Sequence, residues 1–468
     1  MANSGFALAA VTTALLFASA GRAADRVGDC HIGAYRLADG GVVDIAPSDG
    51  DALRWRTFDG RTGALHPQTG GGWTSTLGWT GRPDGTRVTF SACPGGAITF
   101  DGAAGERIAF DVTETRFAGD GVTLAGRLVL PRGAGPVPIV VLVHGSENDS
   151  ALDFYSLQRL LPSQGVGVFV YDKRGTGRSG GKYTQDFSVL ANDAVAAMRE
   201  ARRLAGRRAG RVGYQGGSEG GWVAPIAASR APVDFVIVGF GLAVSPIEED
   251  RQELALEMKL KGHSPAEVAE AREIGDAADA VFASNFTSGF ARFGAVRAKY
   301  RDAPWFKDVH GNFTHFILGW TDAQLRTDKS FVFGTPWTYD PMPLLRASHI
   351  PQLWILGEDD LEAPSAETSR RIESLGARGL PFTVAMFPHA EHGIYEFETG
   401  SDGERTDTRN AAGYFAMMRD FARDGRLGGS YGDSTVVPPG RAAPTSLTPR
   451  PSGSGRFAIK RRPAIDEA

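Results

Sequence analysis

Two cysteines in 468 residues, Cys30 and Cys93, are too few for a fold held together by a disulfide framework. Charge of one sign is also lacking: 50 Lys and Arg face 54 Asp and Glu, for a formal net charge of −4. That balance, with no dense basic block before the C-terminal segment, excludes the electrostatic footprint of a nucleic-acid binder or of a protein held on an anionic membrane surface. No stretch reaches the roughly 18 uninterrupted apolar residues that a membrane-spanning helix needs. Internal repeats are absent, and no spaced His/Cys cluster near the cysteines reads as a metal site. What is present is ordinary globular composition, 42% apolar and 22% charged, in a chain long enough for two or three folded units.

Residues 1–24 differ in texture from the rest of the chain. Phe6 to Phe17 is mostly apolar, and Ala18-Ser19-Ala20 or Arg22-Ala23-Ala24 offers a small-x-small cleavage site, so the segment reads as a secretory signal peptide of a secreted or periplasmic protein. Its first five residues carry no Lys or Arg, a departure that leaves a buried N-terminal helix as the rival reading. In an oxidising compartment Cys30 and Cys93 are expected to form a bridge.

Residues 25–116 alternate short β-like runs with turn signals such as Asp39-Gly40-Gly41 and Pro83-Asp84-Gly85, and predict a small antiparallel β domain. Trp55, Trp73 and Trp79 are expected in its core or against a neighbouring domain. From Phe117 the pattern changes. Apolar runs at 138–143 (PIVVLV), 165–171 (GVGVFVY), 234–240 (DFVIVGF), 352–356 and 382–387 alternate with helix-patterned segments at 152–161 and 186–204. Such alternation predicts a parallel sheet flanked by helices, over 117–242 and 341–424. Residues 243–340 interrupt it with charged, helix-patterned sequence and predict a helical lid over the carboxyl ends of the strands. Trp305, Phe306, Trp320 and Trp337 there either line an apolar acyl pocket or pack the lid itself. Residues 425–468, rich in Gly, Pro, Ser and Arg, read as a disordered tail.

The chemistry begins at Arg211 to Ala228, RVGYQGGSEGGWVAPIAA. A strand, the G-x-S-x-G pattern Gly216-Gly217-Ser218-Glu219-Gly220 and an Ala-rich helix would hold Ser218 on a sharp, exposed turn. A serine hydroxyl needs a base, and the base needs a carboxylate to orient it. Downstream, Leu353 to Pro364 (LWILGEDDLEAP) supplies Asp360, with Glu358 and Asp359 as neighbours. Phe387 to Gly393 (FPHAEHG) supplies His392, with His389 close by. An oxyanion needs N–H donors. Glu219 at the helix start is one, and the loop His144-Gly145-Ser146 offers Ser146 as the second, with Glu147 as the alternative and His144 structural. The loop from Tyr171 to Ser179 lacks the ending of a phosphate-binding loop and reads as a tight ion-paired turn with Asp172 and Arg174 as structural partners.

From about Val112 to Arg423 these motifs occur in one order: H-G, D-x-R-G-x-G-x-S, G-x-S-x-G, G-x-x-D and a final H-G. The chain resembles the α/β-hydrolase superfamily, and its strings look like those of exported bacterial esterases, acyl-thioesterases and serine-aminopeptidase-like hydrolases. The resemblance implies a mostly parallel sheet flanked by helices with a lid, and a catalytic triad of Ser218, Asp360 and His392. It further implies oxyanion donors at Ser146 and Glu219, a small-molecule acyl substrate, and no metal or organic cofactor. Two other readings stay open. One is a peptidase whose acidic run Glu248-Glu249-Asp250 holds a substrate ammonium; the other is a non-catalytic binding protein on a hydrolase scaffold.

Overall fold

The structure, a computed structural model, describes residues 28–440 apart from 402. The leader expected at 1–24 lies outside the described residues, as does the tail beyond 440.

Eight strands close a barrel in sequential antiparallel order: β1 (Gly33–Leu37), β2 (Val42–Pro47), β3 (Leu53–Thr57), β4 (Thr62–Pro67), β5 (Trp73–Leu77), β6 (Pro83–Phe90), β7 (Ala97–Phe100) and β8 (Ala103–Arg107). Closure comes from β1, which pairs with β2 through Gly33–Ile45 and with β8 through Arg36–Glu106, so neither is left as a free edge. Alternating side chains fill the interior, among them Tyr35, Val43, Ile45, Trp55, Leu65, Trp73 and Phe100. The Trp55 indole N–H donates to Ser75 Oγ at 2.7 Å, which satisfies its one polar atom inside the barrel. Cys30 and Cys93 are joined by a disulfide.

The second unit is a nine-stranded sheet. Its strands are β9 (Phe110–Ala118), β10 (Thr123–Pro131), β11 (Val137–Val143), β12 (Gly167–Tyr171), β13 (Ala209–Gly217), β14 (Val236–Gly239), β15 (Gln352–Gly357), β16 (Phe382–Phe387) and, from the C-terminal end, β20 (Thr435–Val437). They lie in the order β20-β16-β15-β14-β13-β11-β12-β10-β9, and β11 through β16 run parallel. Along β11, Ile139, Val141 and Val143 face one layer of helices while Val140 and Leu142 face the other, which is why that strand reads as one continuous apolar run. The first layer is α3 (Phe187–Ala205), α4 (Gly220–Arg230), α10 (Met342–Ala347) and α11 (Ser365–Ala377). The second holds the short α1 (Ala151–Phe154) and α2 (Leu157–Leu160), with α12 (Tyr414–Asp424). Asp186 starts α3 by accepting from Ser188 N at 2.9 Å and Val189 N at 3.1 Å.

Two boundaries differ from the sequence reading. β9 pairs with β10 from Phe110–Pro131 to Ala118–Thr123, so the sheet begins before residue 117; this edge strand is mostly exposed and polar and carries no apolar signal. Residues 425–440, expected in the disordered tail, are ordered in part: β20 pairs with β16 through Val437–Val384, and Tyr431 is buried with its hydroxyl donating to Asp420 Oδ2 at 3.1 Å. Three apolar residues, Val436, Val437 and Tyr431, suffice to seat a segment whose Gly and Pro content reads as unstructured.

Between β14 and α10 lie five helices: α5 (Pro246–Leu260), α6 (Pro265–Ala283), α7 (Phe290–Tyr300), α8 (Thr314–Leu318) and α9 (Asp322–Thr327). They form a separate apolar core around Leu254, Ile274, Phe282 and Phe293. A capping box of Ser264 and Glu267, with Pro265 at the first position, starts α6.

After β16 the chain forms a small sheet of β17 (Ala390–Glu391), β18 (Tyr395–Thr399) and β19 (Arg405–Asn410), and the barrel docks on it. Trp79 N donates to Asp407 O at 3.0 Å, Asn410 N donates to Gly60 O at 2.9 Å, and Arg82 pairs with Glu398 at 2.5 Å. A Cβ on Gly60 would collide with the Asn410 carbonyl, so only glycine permits this approach. Against α2 the contact is ionic: the Arg159 guanidinium grips the fully buried Asp44 carboxylate at 2.5 and 3.1 Å. Removing one partner leaves the other charge buried and alone, so Asp44→Ala is expected to lower stability by about 3–5 kcal/mol. Asp44→Leu/Arg159→Leu together should cost less than the two single changes added, as read from urea unfolding of all four proteins.

Candidate active site

β13 ends at Gly217 and α4 begins at Gly220, so Ser218 occupies the turn between them with φ +49°. That left-handed conformation costs a residue with a side chain roughly 1–2 kcal/mol and persists only where the surroundings enforce it. Here they do. Ser218 N donates to Gly239 O at 3.1 Å, and Gly221 N donates to Ser218 O at 2.8 Å. A Cβ on Gly217 would stand 2.6 Å from the Phe240 ring, one on Gly220 would stand 2.7 Å from Val143 O, and one on Gly216 would run into the Gly220 carbonyl. The glycines on either side of the serine are required by the space, not by chain flexibility.

Asp360 follows β15 by three residues, and His392 follows the two-residue β17. His392 Nδ1 lies 3.0 Å from Asp360 Oδ2, with both side chains buried, and Asp360 Oδ1 accepts from Ala363 N at 2.8 Å. The Phe240 ring meets the imidazole edge-on at 4.8 Å. The neighbouring candidates are elsewhere: His389 is 79% exposed and faces Asp359 at 3.5 Å, outside the pair. Ser146, Ser218, Glu219 and His392 all stand on the wall of one cavity of about 780 Å³ between the sheet and the helical insertion.

Behind the Ser146 loop is a buried charged cluster. Lys173 Nζ donates to Gly145 O at 2.6 Å and lies 3.2 Å from the Glu219 carboxylate; the Tyr183 hydroxyl donates to Ser146 O. Burial pushes the Glu219 carboxyl up to about 7, with Lys173 opposing. Glu147 is also raised by burial, but His144 beside it at 3.2 Å, Lys173 and the Tyr155 hydroxyl outweigh that and hold it down to about 2. His144 is enclosed, with Nε2 at 2.8 Å from Tyr171 O, and does not reach the cavity. The neighbouring turn is ion-paired differently from expectation. Arg174 pairs with Asp193 at 2.6 Å, whereas Asp172 accepts from Ser150 Oγ, Leu152 N and Arg178 N.

The cavity wall is aromatic and acidic. Of the insertion's four singled-out aromatics only Trp337 lines it, joined by Trp222, Phe313, Phe331 and Phe333; Trp305, Phe306 and Trp320 pack within the insertion. From the acidic run only Glu249 reaches the cavity. Glu248 pairs with Arg371 at 2.6 Å, and Asp250 accepts from Thr314 N and Oγ1. Burial and the Glu362 carboxylate push Glu249 well above the usual range, opposed by His392 and the Asn312 amide. Glu362 Oε1 lies 3.9 Å from His392 Nε2, and Glu391 is paired with Arg405. Glu362, Glu391, Arg405 and Lys173 were not singled out in the sequence, where a charge has no marker of the face it takes. For metal binding, Glu253, Glu257 and His310 in the insertion each bring a ligand atom within 4.8 Å of the others.

The eight strands from β9 to β16, with their single reversal of order at β11 and β12, are those of the α/β-hydrolase fold. More narrowly, residues 134–273 match the family model described as serine aminopeptidase, S33. Among solved structures, an esterase of Pyrococcus furiosus is similar at 16% identity and TM-score 0.39, over 60% of this chain and 84% of that one. An acylaminoacyl peptidase of Pyrococcus horikoshii is similar at 14% identity and TM-score 0.41, over 81% of this chain and 55% of that one. A thermophilic esterase of Thermogutta terrifontis is similar at 19% identity and TM-score 0.35, over 60% of this chain and 91% of that one. No curated protein matches the sequence.

Glu257, fully buried on the insertion side of the cavity, is pushed up to about 7 by burial against the opposing Gly311 N–H and Lys261. Between its ordinary value of 4.5 and about 7, the folded chain keeps a proton that the unfolded chain releases. Stability contributed by this group is therefore present below pH 4.5 and lost as pH rises towards 7. Glu257→Gln should flatten that part of a plot of melting temperature against pH, and at pH 7.5 should gain as much as about 3 kcal/mol on the native chain.

Proposed function

We propose that the protein is a serine hydrolase acting on an ester or thioester, with Ser218 as nucleophile, His392 as base and Asp360 as the carboxylate that orients it. The observation that carries this reading is the 3.0 Å contact of His392 with Asp360 on a cavity whose wall also bears the strained Ser218. His392 takes the Ser218 proton as Oγ attacks the acyl carbonyl. The N–H groups of Ser146 and Glu219 receive the oxyanion; His392 then protonates the leaving alcohol or thiol, and water attacks the acyl-enzyme by the same route in reverse. The helical insertion serves as a lid, its Trp337, Phe313 and Phe331 forming the apolar side of the substrate cavity. Export to an oxidising compartment accords with the Cys30–Cys93 bridge.

A second reading is favoured by one observation. Glu249 and Glu362 face each other across the cavity wall close to His392, where a substrate ammonium would relieve both carboxyls. This is the arrangement an N-terminal peptidase would use.

Fluorophosphonate labelling, followed by turnover of p-nitrophenyl butyrate and of aminoacyl p-nitroanilides, tests both. Label is expected on Ser218 and lost in Ser218→Ala, and Asp360→Asn should lower kcat by about 10⁴-fold. Preference for the anilides, abolished by Glu249→Gln, would replace the esterase with the peptidase. A folded protein that takes no label would leave only a binding role.

A further inference from the structure

Strand β3 of the barrel turns two arginines towards the hydrolase sheet, both about 4% exposed. Arg54 is engaged: its Nη1 donates to Gly78 O at 3.0 Å, and its guanidinium lies 4.0 Å over the Trp79 ring. The Arg56 side chain makes no hydrogen bond or ion pair with any described residue, and its guanidinium lies 5.9 Å from the same indole. The cross-strand neighbour Asp44 is no partner, because both of its oxygens are taken by Arg159. A guanidinium carries five donors, and burying it without an acceptor is costly. The Arg56 donors are left to the space beside them, where a ligand acceptor can be received.

Arg56 faces a chamber of about 40 Å³ at the junction of barrel and sheet, whose other walls include Gly145, Glu147, Ser218, Asn410 and Tyr414. This chamber is distinct from the large cavity; Ser218 and Tyr395 stand on the walls of both. The only other charge on its wall, Glu147, is committed to Tyr155 and His144. Asn410 Oδ1 is buried there without a donor. Since one water takes roughly 10–15 Å³ measured this way, the space holds about three or four heavy atoms. That is the size of a carboxylate and the carbon that bears it.

We infer that this chamber is the acyl pocket, that Arg56 receives a carboxylate at the far end of a short acyl group, and that the substrates are half-esters or half-thioesters of malonyl- or succinyl-sized dicarboxylic acids. The inference rests on Ser218 as nucleophile. The bond broken remains the ester or thioester, with water consumed and a dicarboxylate released. The barrel thereby contributes substrate selection, and the large aromatic cavity is left for the alcohol or thiol portion.

The test is hydrolysis of monomethyl succinate against methyl butyrate, followed by acid release at constant pH, beside calorimetric titration with succinate. The native protein is expected to favour the half-ester and to bind succinate. Arg56→Met should lower the half-ester to butyrate ratio of kcat/KM by about 30-fold, the scale of one charge-assisted hydrogen bond, while Arg56→Lys retains part of it. Equal loss on both esters in a folded Arg56→Met, or no succinate binding to the native chain, overturns the proposal. Succinate binding, being independent of turnover, separates this outcome from failure of the nucleophile: a chain that binds succinate through Arg56 yet leaves Ser218 unlabelled keeps the pocket and loses the hydrolase.

Discussion

The absence of room for a side chain around residue 218 is the constraint from which the rest of the site is measured. Gly216, Gly217 and Gly220 meet backbone or ring atoms at distances no Cβ tolerates, so the turn has one conformation and the serine one position. The sheet delivers β13 to that point between β11 and β14. Those two strands provide Val143 O and Gly239 O as the surfaces on which the turn rests. The cavity, the Ser146 loop and the His392 imidazole are then arranged around a fixed atom, the kind of positioning that spares a reaction its ordering cost.

The histidine side is held in another way. His389, Gly393 and Ile394 all have positive φ, so the loop carrying His392 contains three left-handed residues within six positions. Only one is glycine. Local preference opposes this course, and tertiary contact enforces it. β17, β18 and β19 form the frame, and the barrel lies on that frame through Gly60, Gly78 and Trp79. The Trp79 ring meets Tyr395, three residues beyond the imidazole, at 4.8 Å. The barrel is thus a brace for the loop that carries His392, as well as a wall of the smaller chamber.

The sequence was readable where physics leaves a local mark. Buried parallel strands such as PIVVLV need apolar residues on both faces, and the turn at Ser218 needs its glycines, so strand, turn and helix could be placed within a residue or two. Asp360 and His392 were legible because each follows a strand that could be identified. The edge strand β9 was assigned to the wrong unit because, exposed on most of its length, it has no reason to be apolar. β20 was missed because pairing to a sheet edge asks little of composition. Arg56 and Glu362 left no mark at all: a charged residue on a strand or loop is ordinary until the fold shows what it faces. The aromatics of the helical insertion show the same limit, since Trp305 and Trp337 are alike in sequence and only Trp337 reaches the cavity.

The surface by which the barrel meets the sheet has a consequence for how the chain comes into being. Synthesis runs from the N-terminus, and the barrel's strands, core and bridging cysteines are complete by residue 107. Its partners on β18 and β19 arrive some 300 residues later; Arg82 and Glu398 are 316 apart. Until then the barrel lacks its contacts with those two strands. A greasy face would invite association with other chains. Asp44, Arg54 and Arg56 place charge on that face, and charge opposes such association.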